Sequence, residues 1–430
     1  MIRRVLVAGG GTGGHLFPGI AVVEEMRRRL PDLDVLFVGT ERGIEARVLP
    51  RLGERFSAVD VKPLMGRSPL QLTRNVLSLP RSGVHALSTV RSFRPDLAIG
   101  LGGYAAGPVL LAASALRVPC ALLEQNAHVG LTNRLLKRTV GRAYLTFEET
   151  AGQFGHERAR VLGNPVRRAF VDAARMAGHD PAGVEARSRT VLVLGGSQGA
   201  RTLNQQVPEG LWRAGVGAMD IRIVHQTGPS MVEEVDRRYR DLGLKADVVP
   251  FIEDMARAYT NASMVIARAG ATTLAELCAV GRPSILVPYP HAAQDHQAMN
   301  ALALEGAGAA VAIREEDLTV DVLAEHARTM LTDTDLRRRM AEAARRRGRP
   351  EAAAAIVDDL FGWLGVSAPS APASDEGDDL GEAATGHGPS AAAMGTLSVV
   401  PVRRRARVKR RELRLTPLEQ PTEPRVQMTP

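Results

Sequence analysis

The sequence contains little cysteine and no long hydrophobic run. Its two cysteines, Cys120 and Cys278, lie far apart in 430 residues and within apolar or helical patterns. This predicts reduced, buried thiols and argues against a disulfide-stabilised secreted scaffold. No apolar run reaches the ~18–20 residues of a membrane-spanning helix, and no leader pattern precedes the first predicted strand. We therefore expect a cytoplasmic protein whose membrane contact is peripheral.

Two common signatures of phosphate and metal chemistry are also missing. There is no G-x-x-x-x-G-K-[ST] loop, which excludes the P-loop NTPases. Asp-x-Asp spacings occur at 32–34, where they lead into a strand, and at 333–335, where they resemble a helix cap. We therefore predict no metal site and no resident cofactor.

The remaining composition is that of a globular protein with a basic excess. Apolar residues make up 45% and charged residues 24%, and the formal net charge is +8. A chain of this length can form two domains with separate cores. The positive charge suits a phosphate, a nucleotide or an acidic membrane surface, but an Arg-rich surface without such a partner explains it equally well.

Residues 5–15 and 191–201 have almost the same pattern. Each is a β-branched run that ends in glycines and opens into a helix-like pattern. A parallel strand followed by such a loop presents backbone N–H groups to a phosphate at a helix N-terminus. We therefore predict an α/β protein with two Rossmann-like, doubly wound parallel-sheet domains that face each other across a cleft.

Short apolar runs alternate with helical patterns on both sides of a turn-forming cluster at 163–165. The predicted strands are 3–8, 34–38, 97–99, 120–123, 143–146, 190–194, 221–224, 247–249, 264–266 and 284–287. We predict an N-terminal domain over 1–163, a C-terminal domain over 164–348 and a further helix over 349–365.

Residues 366–430 are rich in Ser, Ala, Pro, Gly and acidic residues and contain a basic cluster at 403–411. With few large apolar groups, this segment is predicted to be a disordered tail. Two interpretations of the cluster stay open, a site for anionic lipid or nucleic acid and a merely solvated tail.

The N-terminal half carries polar groups where predicted strands end. His15 follows the first glycine loop, and we interpret it as a general base at the cleft. A helix-terminal histidine bonded to backbone is the plainer alternative. A second glycine-rich strand exit carries Tyr104 toward the cleft, and Glu124 to Asn126 end the next strand. Open α/β sheets bind ligands at these carboxyl ends.

The C-terminal half has a helix that opens directly after a strand, over 268–276. Its N-terminal amides, including those of Ala271 and Thr272, can hold a diphosphate. Glu276, about one turn into this helix, is a candidate acceptor for two ribose hydroxyls. Taken alone, it is more simply an exposed helix acid.

Taken together, these motifs resemble the bacterial lipid-linked N-acetylglucosaminyltransferases that convert lipid I to lipid II in peptidoglycan synthesis. The matching pieces occur in the family's order: GGTGGH at 10–15, GGY at 102–104, EQN at 124–126, GNPVR at 163–167, GGSQGA at 195–200, FIEDM at 251–255 and DHQ at 295–297. The resemblance implies a GT-B fold, in which the C-terminal domain mainly holds UDP-N-acetylglucosamine and the final helix crosses back to the N-terminal domain. The tail has no counterpart in the family pattern.

The resemblance also implies site residues. The contacts to the donor that the resemblance implies are Thr12, Gly13, Gly14, Asn126, Arg167, Ser197, Ile252, Glu276 and Gln297. To these we add Gln198 of the second glycine loop, and Ala271 and Thr272 at the start of the C-terminal helix. Ile252 would meet the uracil through its backbone, and Glu276 would meet the ribose. Some members carry a histidine just before the Glu-Gln-Asn triplet, but this chain has Leu123 there.

The implied reaction is an inverting transfer of N-acetylglucosamine to the 4-hydroxyl of lipid-linked N-acetylmuramyl-pentapeptide. We predict His15 as the base, with Glu124 in reserve, and stabilisation of the leaving diphosphate by helix amides without a metal. The implied partners are UDP-N-acetylglucosamine, an undecaprenyl-pyrophosphoryl-linked acceptor, the cytoplasmic face of the anionic inner membrane and other cell-wall synthesis proteins, but no nucleic acid.

Two other enzyme classes fit parts of the pattern. A nicotinamide-dependent oxidoreductase matches the G-x-G-x-x-G spacing at 9–14 but does not need the second glycine loop. A UDP-N-acetylglucosamine 2-epimerase also has two Rossmann-like domains but needs no acceptor. A non-catalytic scaffold explains none of the glycine loops.

The segment from 63 to 81 combines leucines and arginines near helical spacing. Leu70 and Leu77, like Arg74 and Arg81, are one heptad apart. This predicts a short amphipathic helix that rests in the headgroup region of a membrane. A core-facing helix with a basic rim is the alternative.

Overall fold

The computed structural model describes residues 2–41, 43–59, 61, 79–179, 189–196, 198–292 and 295–367. The strands are β1 (Arg4–Gly9), β2 (Asp34–Gly39), β3 (Phe56–Ala58), β4 (Leu97–Gly102), β5 (Cys120–Glu124), β6 (Arg142–Leu145), β7 (Ala159–Val161), β8 (Thr190–Leu194), β9 (Arg222–Gln226), β10 (Ala246–Val249), β11 (Ala262–Ala267), β12 (Ser284–Leu286) and β13 (Ala310–Ala312).

The helices of the described residues alternate with these strands. They are α1 (Gly13–Arg29), α2 (Glu45–Val48), α3 (Leu79–Phe93), α4 (Ala106–Ala115), α5 (Leu131–Leu136), α6 (Arg168–His179), α7 (Arg201–Arg213), α8 (Val232–Asp241), α9 (Met255–Thr260), α10 (Ala271–Val280), α11 (His296–Gly306), α12 (Val320–Thr332), α13 (Thr334–Arg347) and α14 (Ala352–Trp363). Short 3₁₀ turns cover Pro50–Leu52, Glu148–Gln153 and Val216–Ala218.

Two parallel sheets organise the chain, as predicted. The first has the order β3-β2-β1-β4-β5-β6-β7 and the second the order β10-β9-β8-β11-β12-β13. In each sheet the strand order reverses beside the strand that precedes a glycine loop, β1 in the first and β8 in the second. Doubly wound sheets bind ligands at this switch point, so both loops lie where a ligand is expected.

Side-chain alternation explains why the N-terminal sheet is buried on both faces. In β1, Val5 and Val7 belong to one hydrophobic cluster, whereas Leu6 and Ala8 belong to another. Strands covered on both faces read as continuous apolar runs, which is the pattern of this segment.

The last helix, α14, packs into the N-terminal core although it follows the C-terminal sheet in sequence. Ile356, Leu360 and Phe361 are buried in the same cluster as Val5. Asp359 accepts a hydrogen bond from the Tyr144 hydroxyl at 2.8 Å and pairs with Arg142 and Arg160 of the N-terminal sheet.

Within the described ranges, no helix is both long and apolar enough to cross a membrane. Nor do the described residues contain a group of three or more His, Cys, Asp or Glu side chains that could hold a metal ion. Of the predicted membrane helix, Leu70, Arg74 and Leu77 lie outside the described residues, as does the side chain of Arg81.

Candidate active site

The carboxyl ends of both sheets open onto one cleft of about 840 Å³. Among the residues predicted to bind the donor, those that line this cleft are Gly13, Gly14, Arg167, Gln198, Ile252, Thr272, Glu276 and Gln297. The other predicted site residues do not line the cleft: Thr12, His15, Tyr104, Glu124, Asn126 and Ala271. Of these, His15 and Glu124 are the two candidate bases, and Tyr104 is exposed. Ser197 lies outside the described residues.

Helix α1 begins inside the first glycine loop. Its N-cap residue, Thr12, makes no side-chain cap, so the first amides keep their donors for another partner. Pro18 lies in this helix and has no N–H to offer the carbonyl of Gly14. The hydroxyl of Thr272, from the other domain, donates to that carbonyl oxygen at 3.0 Å. The starts of α1 and α10 therefore meet at the cleft.

His15 lies in the first turn of α1, with its Nδ1 3.1 Å from Thr12 Oγ1. The ring packs on Gly102, where an added Cβ would lie 3.1 Å from His15 Cδ2. Burial and, less strongly, His296 lower the pKa of His15 to about 4, against an opposing effect of Glu45. The imidazole is therefore neutral at physiological pH, as a general base must be.

Glu124, the reserve base, ends β5 and is 2% exposed. Its carboxylate accepts hydrogen bonds from the N–H of Gly130 at 3.0 Å, the side-chain amide of Asn133 at 3.0 Å and the N–H of Asn126 at 3.2 Å. Burial raises the pKa of Glu124, and these hydrogen bonds oppose the change. Because both oxygens accept hydrogen bonds, Glu124 anchors the loop after β5.

The second glycine loop interlocks with the turn after β9. Gly199 has φ +80, and a Cβ there would collide with the carbonyl oxygen of Thr227. Gly228 has φ +77, and a Cβ there would collide with the carbonyl oxygen of Gln198. Both obstacles are backbone atoms, so glycine is required at both positions.

A neutral hydrogen-bond network supports the same turn. His225 lies 2.9 Å through Nδ1 from the Tyr239 hydroxyl and 3.1 Å through Nε2 from Asn204 Oδ1. The Asn204 amide then donates to the Thr227 carbonyl oxygen at 3.0 Å. Burial lowers the pKa of His225 to about 3, so this support carries no charge.

Glu276 is buried in α10, and its interpretation as an exposed helix acid is wrong. Burial raises the pKa of its carboxyl to about 7, while Arg167 and the neighbouring Tyr259 hydroxyl act in the opposite direction. The Arg167 guanidinium lies 5.0 Å from the ring centroid of Phe17 and 5.4 Å from that of Phe170. Cation–π packing thus holds the Arg167 guanidinium, which lowers the pKa of Glu276.

Gln297 forms part of the opposite wall. Its Oε1 accepts the backbone N–H of Tyr289 at 3.0 Å, which fixes the side chain. Arg268 lies over the Tyr289 ring at 5.6 Å and donates to the carbonyl oxygens of Val287 at 3.2 Å and Pro288 at 3.1 Å. These bonds hold the turn after β12 against the start of α11.

Sequence patterns missed several residues of the cleft and its support. Phe17, Tyr259, Arg268 and Tyr289 line the cleft, but each has an ordinary local pattern. Glu45 lies beneath the first glycine loop, which begins more than thirty positions earlier in the sequence. Only the nearby glycines at 39 and 43 give a sequence signal for this carboxylate, and their meaning depends on the fold.

Comparison with known proteins identifies the family. The glycosyltransferase family 28 N-terminal domain matches residues 5–145, and the family 28 C-terminal domain matches residues 190–356. The chain belongs to glycosyltransferase family 28. The GT-B fold and the family implied by the motifs are therefore confirmed.

One family 28 relative comes from Anaeromyxobacter sp. (strain Fw109-5). It is named UDP-N-acetylglucosamine–N-acetylmuramyl-(pentapeptide) pyrophosphoryl-undecaprenol N-acetylglucosamine transferase. The two sequences are 48% identical over 355 residues, which cover 83% of this chain and 92% of the relative.

Two solved structures share the architecture of this chain. The crystal structure of Acinetobacter baumannii MurG matches with a TM-score of 0.63 and 31% identity, over 84% of this chain and 99% of that one. A UDP-GlcNAc 2-epimerase from Neisseria meningitidis matches with a TM-score of 0.57 but 13% identity, over 84% of this chain and 100% of that one. The epimerase likeness shows the fold alone.

Proposed function

We propose that this chain transfers N-acetylglucosamine from UDP-N-acetylglucosamine to the 4-hydroxyl of lipid-linked N-acetylmuramyl-pentapeptide, forming lipid II. The observation that carries this is the meeting of two helix N-termini without side-chain caps, at Gly13 and Ala271, beside a buried carboxylate, Glu276. Helix N-termini bind phosphates, and a carboxylate accepts hydrogen bonds from a ribose diol. The names of the family 28 relatives agree with this chemistry.

The donor lies mainly against the C-terminal domain in this proposal. Glu276 accepts from the ribose hydroxyls, the backbone of Ile252 meets the uracil, and the amides after Gly270 hold the diphosphate. The other proposed donor contacts are Thr12, Gly13, Gly14, Asn126, Arg167, Ser197, Gln198, Thr272 and Gln297. The cleft volume of about 840 Å³ is in the range of small-molecule sites.

The transfer forms one bond and breaks another at the anomeric carbon. The acceptor O4 attacks C1 of N-acetylglucosamine, the bond from C1 to the β-phosphate oxygen breaks, and UDP leaves with inversion. The hydroxyl proton passes to Nε2 of His15, which is free when Nδ1–H is directed at Thr12 Oγ1. The amides at the start of α10 stabilise the charge that develops on UDP.

A lipid-linked acceptor requires contact with a membrane, which we assign to the N-terminal domain. Exposed apolar side chains lie on neighbouring helices: Val84 (70% exposed) on α3, Leu111 (53%) on α4, and Leu131 (37%) and Leu135 (69%) on α5. The exposed Arg134 lies among them. Apolar groups beside cations favour the headgroup region of an anionic cytoplasmic surface.

Incubation with labelled UDP-N-acetylglucosamine and a lipid I analogue tests the reaction. We expect label on the lipid and no change of the donor when the acceptor is omitted. Conversion of the donor alone would instead indicate an epimerase. With the acceptor in anionic vesicles, Leu135→Ser should slow transfer. The matched variant Leu302→Ser, at a side chain that is 52% exposed on α11 of the C-terminal domain, should not. Equal rates would exclude the assigned surface.

A further inference from the structure

We propose that Glu45 is a positioning residue for the transfer step, because its carboxylate holds the glycine loop that carries His15. This inference rests on the proposed function. Glu45 begins α2, is 1% exposed and does not line the cleft. It therefore acts through the loop and touches no substrate.

The carboxylate joins two segments of backbone. Its Oε2 accepts the N–H of Gly11 at 2.7 Å, and its Oε1 accepts the N–H of Thr40 at 2.8 Å and the Thr40 hydroxyl at 2.9 Å. Among the described residues, no cation pairs with Glu45. A buried carboxylate without a cation is costly unless hydrogen bonds satisfy it, so these donors define where it can lie.

Three glycines leave the space that the carboxylate fills. An added Cβ would lie 2.5 Å from Glu45 Cδ at Gly10 and 2.5 Å from Glu45 Cγ at Gly39, and it would collide with the carboxylate oxygens at Gly43. These glycines come from the loop after β1, the end of β2 and the approach to α2. The first glycine loop therefore packs directly against the Glu45 side chain.

The same contact connects the loop to the cleft wall. Gly11, with φ +87, lies directly before Thr12, whose hydroxyl meets His15 Nδ1. Ile44 lies beside Glu45 in sequence and lines the cleft. Loss of the bond to Gly11 would release the loop while leaving the ribose site around Glu276 intact, so catalysis should suffer more than donor binding.

The decisive variant is Glu45→Gln, with the exposed neighbour Glu41→Gln as its matched control. In this variant the side-chain NH₂ group must face the backbone N–H of either Gly11 or Thr40. One hydrogen bond is then replaced by two donors that face each other. We expect kcat to fall roughly 10–100-fold, the effect of misplacing a catalytic group by about 1 Å, with the Kd of UDP-N-acetylglucosamine within about threefold of the parent. A kcat per binding site equal to that of Glu41→Gln would overturn the proposal.

A double-mutant cycle separates positioning from a general structural role. If Glu45 acts through His15, then Glu45→Gln should lower kcat by less than about threefold in a His15→Ala background. An equal loss in both backgrounds would overturn the proposal. If Glu45→Gln does not fold, Thr40→Val, which removes one donor to the carboxylate, should show the same split between kcat and Kd to a smaller degree.

Hydrogen exchange keeps the test independent of the proposed function. If the parent binds UDP-N-acetylglucosamine but transfers nothing, the proposed function fails. The holding role of Glu45 is then decided by amide exchange in residues 9–16, which should be faster in Glu45→Gln than in Glu41→Gln. Unchanged exchange there would overturn the positioning role whatever the activity.

Discussion

The two glycine loops are nearly the same in sequence but are held in different ways. The first is fixed by one buried carboxylate, Glu45, which reaches Gly11 from a neighbouring segment. The second is fixed by backbone packed against backbone at Gly199 and Thr227, and by an uncharged network behind it. A repeated strand–loop–helix unit therefore does not imply a repeated means of support.

The two means of support correspond to different proposed roles of the two loops. The first loop carries a neutral histidine, and its position depends on a side chain that a single substitution can change. The second faces the proposed nucleotide with Gln198, and its close contact with the turn after β9 is made by backbone atoms. Substitutions of His15 and of its support by Glu45 should therefore change turnover, and substitutions in the second loop should change donor affinity or folding.

The largest effect is expected for His15→Ala. Loss of a general base should lower kcat by about 10²–10⁴-fold, with the Kd of UDP-N-acetylglucosamine nearly unchanged. The contrasting variant in the second loop, Gln198→Ala, should weaken donor binding more than it lowers kcat. Saturating-donor kinetics and calorimetric titration measure both; full turnover by His15→Ala would remove this residue from the role.

A second expected effect concerns the backbone itself. Gly199→Ala combines φ +80 with a collision against a carbonyl oxygen, so we expect a loss of about 2–4 kcal/mol and of UDP binding. At Gly10, with φ +133, the three atoms nearest to an added Cβ all belong to the Glu45 side chain. In thermal unfolding, Gly10→Ala with Glu45→Ala should therefore lose less stability than the sum of the two single variants. Strict additivity would contradict the difference between the loops.

Much of the fold follows from hydrophobic patterning, but three of the four edge strands do not. The predicted strands correspond to the central strands of both sheets and to one edge strand, β10, whereas β3, β7 and β13 are not predicted. Each of these is a three-residue strand at a sheet edge. Runs this short give no measurable period, and their pairing is set by the neighbouring strand.

Local patterns predict the starts of helices less well where function requires glycine. Gly13, Gly14 and Pro18 are among the least favourable residues for a helix interior. In the structure α1 begins at Gly13 and includes Pro18. Because Pro18 has no N–H, the carbonyl oxygen of Gly14 accepts instead from the hydroxyl of Thr272 in the other domain, a contact that no local pattern contains.

In the candidate site, too, some features could be predicted from the sequence and others depend on tertiary contacts. Glycine loops and strand ends indicate which residues approach the cleft, because phosphate binding uses backbone geometry that sequence records. Burial of Glu276 and the packing of Arg167 on Phe17 and Phe170 arise from tertiary contacts. The assignment of these residues to the donor stays a prediction until binding is measured.

The smallest expected effect concerns the pH dependence of donor binding. It contrasts the protonation state of Glu276 in the C-terminal domain with that of His15 in the N-terminal domain. The Glu276 pKa of about 7 means that the carboxyl is largely protonated at pH 6 and ionised at pH 8, whereas His15, with a pKa of about 4, is neutral at both. Only the ionised carboxylate accepts both ribose hydroxyls, so affinity for UDP-N-acetylglucosamine should rise by up to about tenfold from pH 6 to 8. Glu276→Gln should bind about tenfold more weakly at pH 8 and lose this dependence, while the exposed Glu234→Gln keeps it.

The contribution of the same carboxyl to the free energy of unfolding should fall with rising pH, whereas donor affinity should increase. A carboxyl whose pKa is raised by folding binds its proton more tightly in the folded state, so its stabilising effect is complete below the unfolded pKa of about 4.3 and declines as the pH rises to about 7. Denaturant unfolding of the parent should therefore show a loss of stability across this window that Glu276→Gln lacks, after subtraction of the slope seen in both. A donor affinity independent of pH in the parent would contradict the proposed role of Glu276 at the ribose, and an unchanged pH slope of stability in Glu276→Gln would contradict its raised pKa.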